Sequence, residues 1–130
     1  MVKYLNTDLD IESTDNLSAL VPAFEENCVV LHAGEMQDGR WMIRVEADRS
    51  GEPEDAIANP ERDIDTLLSV LNNFDAQSKK MLLHADLFDF NIGWESGKEL
   101  PPSSFRLSVT VLGKIAEIGA TLTTTIYPID

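Results

Sequence analysis

The spacing of apolar and polar residues changes period several times along this chain, and each change marks an element. Leu5, Thr7, Leu9 and Ile11 share one parity while Asn6, Asp8, Asp10 and Glu12 take the other, which predicts a first strand with one wet face. Leu17, Leu20, Val21 and Phe24 then fall at i, i+3, i+4 and i+7, the stripe of a short helix, with Ser13 and Thr14 offering cap oxygens. Pro22 opposes a continuous helix, because an interior proline loses a hydrogen bond and clashes with the preceding turn; two single turns are the alternative.

Residues 28–36 and 41–47 are rich in strand formers, and the Asp38-Gly39 turn between them predicts a β-hairpin. Trp41, Ile43, Val45 and Ala47 share the parity expected to face the core. Residues 48–62 are polar and contain Gly51, Pro53 and Pro60, so they read as a long connection, either solvated or a binding loop. Asn59-Pro60 is a helix start, and Ile64, Leu67, Leu68, Leu71 and Phe74 run down one side of the helix that follows. Its first turns carry Glu61, Asp63 and Asp65, where the positive end of the helix dipole favours acids. Asp75 is placed to cap a further short helix through Leu83. Phe88, Phe90, Ile92 and Trp94 alternate with Asp89, Asn91 and Gly93 as a core strand requires.

The closing segment, LSVTVLGKIAEIGATLTTTIY over residues 107–127, admits two readings, since Phe105, Leu107, Val109 and Val111 also alternate. A helix accounts for more of it. Ser108 serves as N-cap, Val111, Leu112, Ile115 and Ile118 form the apolar stripe, and Gly119 stands where a helix needs a left-handed residue to stop. Leu122, Thr124 and Ile126 then alternate with Thr123, Thr125 and Tyr127 in a strand ended by Pro128, and the apolar residues of the whole segment are expected to be buried. The order β-α-β-β-α-β-α-β predicts a single α+β domain over 1–130, with a mainly antiparallel sheet and helices on one face.

Composition narrows the function more than the fold. Ten Lys and Arg against 23 Asp and Glu give a net charge of −13, which argues against a nucleic-acid backbone or an anionic membrane as partner and leaves a basic protein open. Residues 46–65 hold Glu46, Asp48, Glu52, Glu54, Asp55, Glu61, Asp63 and Asp65 against Arg49 and Arg62, a local excess that suits either a solvated face or recognition of a basic surface. Cys28 is the single cysteine, so one chain has neither an internal disulfide nor a cysteine-rich zinc site. A lone cysteine and an amino terminus without a basic patch and long apolar run imply the cytosol.

Candidate chemistry is sparse. Asp8, Asp10 and Glu12 project from one strand face and could offer oxygens to a hard cation, but Ser13 and Ala19 stand where a calcium loop needs glycine and glutamate. His32 and His84 lack a metal-type partner three or four residues away, and Cys28 and His32 are about 13 Å apart along a strand. Cys28 with His84 is the remaining nucleophile pair. No phosphate-binding glycine motif and no G-x-S-x-G occurs, and neither catalytic residues, a cofactor nor a metal is assigned. Trp41 and Trp94 lie on core parities.

Trp41 after a glycine turn, the acidic lead into the helix of Ile64 and Leu71, and the ending with L-x-x-I-A-x-I-G at Leu112 to Gly119 together resemble an uncharacterised bacterial domain-of-unknown-function family, the one numbered four-two-seven-nine. The resemblance extends over nearly the whole chain and rests on packing residues, so it implies a fold and supplies no catalytic residues. By analogy, small acidic bacterial domains of this kind serve as immunity proteins beside secreted toxins.

Three functions compete on these grounds. The first is a noncatalytic module that binds a basic protein, an immunity-like inhibitor being one form, with Glu52, Glu54 and Asp55 of the loop and Asp8, Asp10 and Glu12 of the first strand as contacts. The second is a small-ligand or enzymatic cleft using His32 or His84. The third is a structural domain that pairs an exposed strand edge across a homodimer axis.

Overall fold

Leu9 stands at the centre of the sheet, opposite Val45 on one neighbouring strand and Phe90 on the other. The computed structural model describes residues 2–53, 56–97 and 104–128. Its strands are β1 (Lys3–Ser13), β2 (Cys28–Glu35), β3 (Trp41–Ala47), β4 (Leu87–Glu95) and β5 (Thr121–Tyr127). Its helices are α1 (Val21–Asn27), α2 (Pro60–Asn72), α3 (Ala76–Leu83) and α4 (Val109–Ile118), with one 3-10 turn at Ser18–Leu20. The strands lie in the order β2-β3-β1-β4-β5. All neighbouring pairs are antiparallel except β4 with β5, which run parallel. A parallel pair needs a crossover, and α4 supplies it. The result is the expected α+β architecture with a mainly antiparallel sheet.

One core joins strands and helices. Leu9, Ile11, Ile43, Val45, Phe88, Phe90 and Ile92 face it from the sheet, and Leu20, Phe24, Ile64, Leu67, Leu68, Leu71, Leu82, Val111 and Ile115 from the helices. Burying one such Leu, Ile or Phe stabilises the fold by about 1.5–3 kcal/mol. Phe24 and Phe74 lock α1 to the end of α2 through an edge-to-face contact with ring centroids 5.0 Å apart. Within each strand the core-facing residues share one parity, so the helices pack on one face of the sheet and, among the described residues, none lies on the other.

Local signals set the ends of the helices. Asn59 Oδ1 accepts from the Arg62 amide at 2.9 Å, and Pro60 occupies the first turn of α2. Asp75 caps α3 by accepting from the Ser78 amide. Ser108 Oγ accepts from the Val111 amide to start α4, and Gly119 ends it at φ 84°. Pro22 is tolerated because α1 begins at Val21, after the 3-10 turn, so the segment is two short turns of helix and not one.

Four expectations are corrected. Leu5 does not continue the inward parity of β1: a bulge between Tyr4 and Asn6 turns Tyr4 inward and Leu5 out. Ser13 and Thr14 cap nothing; Ser13 Oγ accepts from the Asp15 amide in a tight turn, and Asn16 Oδ1 holds the Ser18 amide. Leu112 leaves the buried stripe of α4 and is 44% exposed, because the core touches only Val111, Ile115 and part of Ile118. The closing strand is also not buried: Leu122, Ile126 and Tyr127 are all exposed, since β5 is the outer edge of the sheet.

Candidate functional site

The face of the sheet without helices carries the chain's most organised polar chemistry. Strand register places two rows of side chains across all five strands. One row runs His32, Arg44, Asp10, Asp89, Thr121, and the next runs Val29, Glu46, Asp8, Asn91, Thr123. Alternation along β1 and β3 produces this, because the residues between the inward Leu9, Ile11, Ile43 and Val45 must point outward.

Asp10 and Asp89 are cross-strand neighbours on this face, and both are almost fully buried by the side chains around them. Each has its own partners. Arg44 Nε donates to Asp10 Oδ1 at 2.8 Å and lies 3.9 Å from Asp8 Oδ2. Asp89 Oδ1 accepts from the hydroxyls of Thr121 and Thr123 at 2.7 and 2.9 Å. Thr125 donates to Asn91 Oδ1 at 2.8 Å, so the threonine-rich strand is held to β4 by hydroxyl bonds as well as by its backbone. The Arg44 guanidinium is held more firmly protonated by Asp10.

Asp8 lies beside Asp10 on β1, opposite Glu46 and Asn91, with less compensation. Its carboxyl is pushed up to about 6, first by burial and then by the charge of Asp10, with Glu46 adding and Arg44 opposing. Asn6 donates to Asp8 Oδ1 at 2.9 Å and reaches Glu46 Oε2 at 3.5 Å. Among the described strand residues this face holds Asp8, Asp10, Glu12, Glu46, Asp89 and Glu95 against Lys3 and Arg44, a net negative balance. Among the described residues no group of three or more His, Cys, Asp or Glu is arranged to hold a metal ion.

A second polar cluster lies on the helix side of the same strands. Asp63, 3% exposed in the first turn of α2, accepts from Arg49 Nε at 3.0 Å and from a second guanidinium nitrogen, and the Tyr4 hydroxyl also donates to it. Tyr4 is hydrogen-bonded in turn to Thr7 at 2.8 Å and meets Trp94 edge to face. Burial and the Asp63 carboxylate push the Tyr4 phenol above its usual value. This cluster ties the long connection after β3 to the start of α2 and to β1, a structural fastening made possible by the bulge that turns Tyr4 inward.

The sequence-derived contacts are distributed unevenly. Asp8, Asp10 and Glu12 lie together on the open face, with Asp10 paired to Arg44. Glu52 bridges to Arg62 at 3.2 Å, joining the loop to α2. Glu54 and Asp55 lie outside the described residues. His32 is exposed on β2, and His84 caps the end of α3 beside a shallow depression lined by Asp15, Leu17, Lys80 and Met81. Neither ring has a hydrogen-bond partner among the described residues. Cys28 is buried and its thiol is pushed up to about 11, by burial first and then by Asp48, the opposite of an activated nucleophile. Arg44 and Asp89 were missed by reasoning from sequence, and Glu46 was grouped with the acidic run 46–65 and not with Asp8, because only strand order brings the three beside Asp8 and Asp10.

Comparison with protein-family models, curated proteins and solved structures finds no match to this chain. No helix among the described residues is long and apolar enough to cross a membrane.

Proposed function

We propose that this domain is a noncatalytic binding module that receives a basic protein partner on the helix-free face of its sheet. The observation that supports it is the gathering of Asp8, Asp10, Glu12, Glu46, Asp89 and Glu95 on the helix-free face, where among the described strand residues Lys3 and Arg44 are the cations that offset them. An arginine or lysine set down beside Asp8 and Glu46 relieves repulsion already present in the free protein, so part of the electrostatic gain needs no rearrangement. The net charge of −13 adds long-range attraction for the same class of partner and speeds encounter. An immunity-like inhibitor of a basic enzyme in the bacterial cytosol is the form of this reading that suits the family resemblance.

The test is a titration with a defined basic probe, an arginine-rich peptide, followed by backbone amide shifts at low and physiological salt. The expected shifts lie on β1 and β3, centre on Asp8 and Glu46, shrink with salt, and weaken in the Asp8→Asn, Glu46→Gln double variant. Shifts confined to the loop before α2, or unaltered in the double variant, would overturn the assignment of the face.

A further inference from the structure

The two edges of the sheet are built differently. On β2 the ladder to β3 is interrupted by a bulge at Leu31, between Val30 and His32, and the strand ends in Glu35. Bulges and charges are the usual means by which an edge strand is kept from pairing with another molecule. On β5 there is neither. Its seven residues, Thr121–Tyr127, stay in unbroken register with β4 and contain no charged residue and no proline.

The order of side chains on that strand is close to a palindrome about Thr124. Reading outward from it, Thr123 mirrors Thr125, Leu122 mirrors Ile126, and Thr121 mirrors Tyr127. An antiparallel pairing of two such strands about a two-fold axis at Thr124 therefore sets Leu122 opposite Ile126 of the other copy twice over. Thr123 likewise meets Thr125, so all but the terminal Thr121–Tyr127 pairs are of matching character. Leu122, Thr124 and Ile126 share the helix-side face with Phe90, Ile92 and Trp94, and Ile126 is 64% exposed in the single chain.

Helix α4 continues this surface. Lys114 reaches Asp65 on α2 at 3.1 Å, which fixes one flank of α4 toward α2. Leu112 and Ala116 fall on the opposite flank by helical phase, turned away from α2, and Val109 beside them is 86% exposed. Phe105, exposed and packed on Trp94, extends the apolar surface at the other end of the strand. Residues 107–127 carry only Lys114 and Glu117 as charges, and both line the depression facing α2 and α3. In a chain of net charge −13, two copies repel each other over most of their surfaces, and this uncharged edge is where they can approach.

We infer that the β5 edge and the outer flank of α4 form a self-complementary interface for a second copy of this chain, paired antiparallel about Thr124 into a continuous ten-stranded sheet. The axis stands perpendicular to the sheet, so the helices of both copies lie on one side and the two open faces on the other. This does not depend on what the open faces bind.

The experiment is sedimentation equilibrium of the full chain across a concentration series at physiological salt, with two variants at the axis. The wild type is expected to be dimeric. Thr124→Lys sets two ammonium groups opposite each other and is expected to weaken the dimer by about 100-fold with an unchanged circular dichroism spectrum, like charges in register costing several kcal/mol. In Thr124→Cys the two α-carbons are about 4.5–5.5 Å apart across the axis, within disulfide range, so mild oxidation should join the copies, while Ala33→Cys on the β2 edge should not cross-link. If Thr124→Lys fails to fold, cross-linking of Thr124→Cys decides the matter alone. A wild type that stays monomeric at millimolar concentration, or a dimer in which Thr124→Cys does not cross-link, overturns the inference.

Discussion

Asp10 and Asp89 stand directly opposite each other on β1 and β4, nearly buried, with partners drawn from opposite sides: Arg44 from β3 for the first, Thr121 and Thr123 from β5 for the second. Two acids can share this position because the strands that flank them each bring a donor. The strand order β2-β3-β1-β4-β5 is thus written into the side chains of the open face as well as into the core.

Removing the cation from this arrangement should be costly. Arg44→Met leaves Asp10 buried between Asp8 and Asp89 without a charge partner, and breaking a buried pair in this way costs about 3–5 kcal/mol, reduced here to roughly 1–3 because Arg44 is itself partly exposed. Adding Asp10→Asn should recover most of the loss. Urea unfolding of the single and double variants measures both steps, and a double variant no more stable than Arg44→Met would show that the charge on Asp10 is not the cause.

Asp8 gives the protein a specific pH dependence. Its carboxyl titrates near 6 in the native state and near 3.8 when unfolded, so between those values the native state holds a proton that the unfolded state has lost. Stability therefore falls as pH rises from about 4 to 6, and above 6 the charged Asp8 opposes folding in full. Asp8→Asn should raise the melting temperature at pH 7.5, with the gap over the wild type narrowing steadily toward pH 4. A gap that is constant over that range would assign the effect to packing.

Much of this fold was legible because local chemistry and global packing agree. Asn59-Pro60, Asp75, Ser108 and Gly119 bound their helices as their types require, and the alternation of Phe88, Phe90, Ile92 and Trp94 is that of a core strand. Leu5 misleads because a bulge changes parity in one residue, and no local signal distinguishes it from a regular strand. Leu112, Leu122 and Ile126 mislead for another reason: periodicity reports that a face is apolar, but not whether this chain or another molecule covers it. The open-face cluster was half visible, since Asp8, Asp10 and Glu12 share a parity along the sequence. Arg44, Glu46 and Asp89 join them only through pairings separated by tens of residues.

The fastening beneath the sheet separates two contributions that single variants can resolve. Tyr4→Phe keeps the ring against Trp94 and removes the hydrogen bonds to the Asp63 carboxylate and to Thr7, an expected loss of about 1.5–3 kcal/mol. Asp63→Ala strands the Arg49 guanidinium and leaves the Tyr4 hydroxyl with Thr7 as its remaining partner, and its loss should exceed that of Tyr4→Phe by at least about 1 kcal/mol. Because Arg49 belongs to the connection after β3, Asp63→Ala should also raise amide exchange in that connection, whereas Tyr4→Phe should leave it nearly unchanged. Equal exchange in the two variants would mean that the connection is held by something other than Arg49.

Gly119 tests how the closing crossover is fixed. Its φ of 84° is left-handed, which costs most residues with a side chain about 1–2 kcal/mol, and a β-carbon there would lie 2.6 Å from Leu83 Cδ2. Leu83 is exposed and can swing aside, so Gly119→Ala should lose about 1–2 kcal/mol, chiefly from the backbone, and Leu83→Ala in the same chain should restore little of it. Gly119→Asn, which tolerates the left-handed region, should lose less than Gly119→Ala despite being larger. Thermal unfolding of the three variants orders them, and an asparagine variant as weak as alanine would place the cost in the contact with Leu83 instead of in the turn. The distinction matters for β5, since this residue sets where α4 stops and therefore where the parallel edge strand begins.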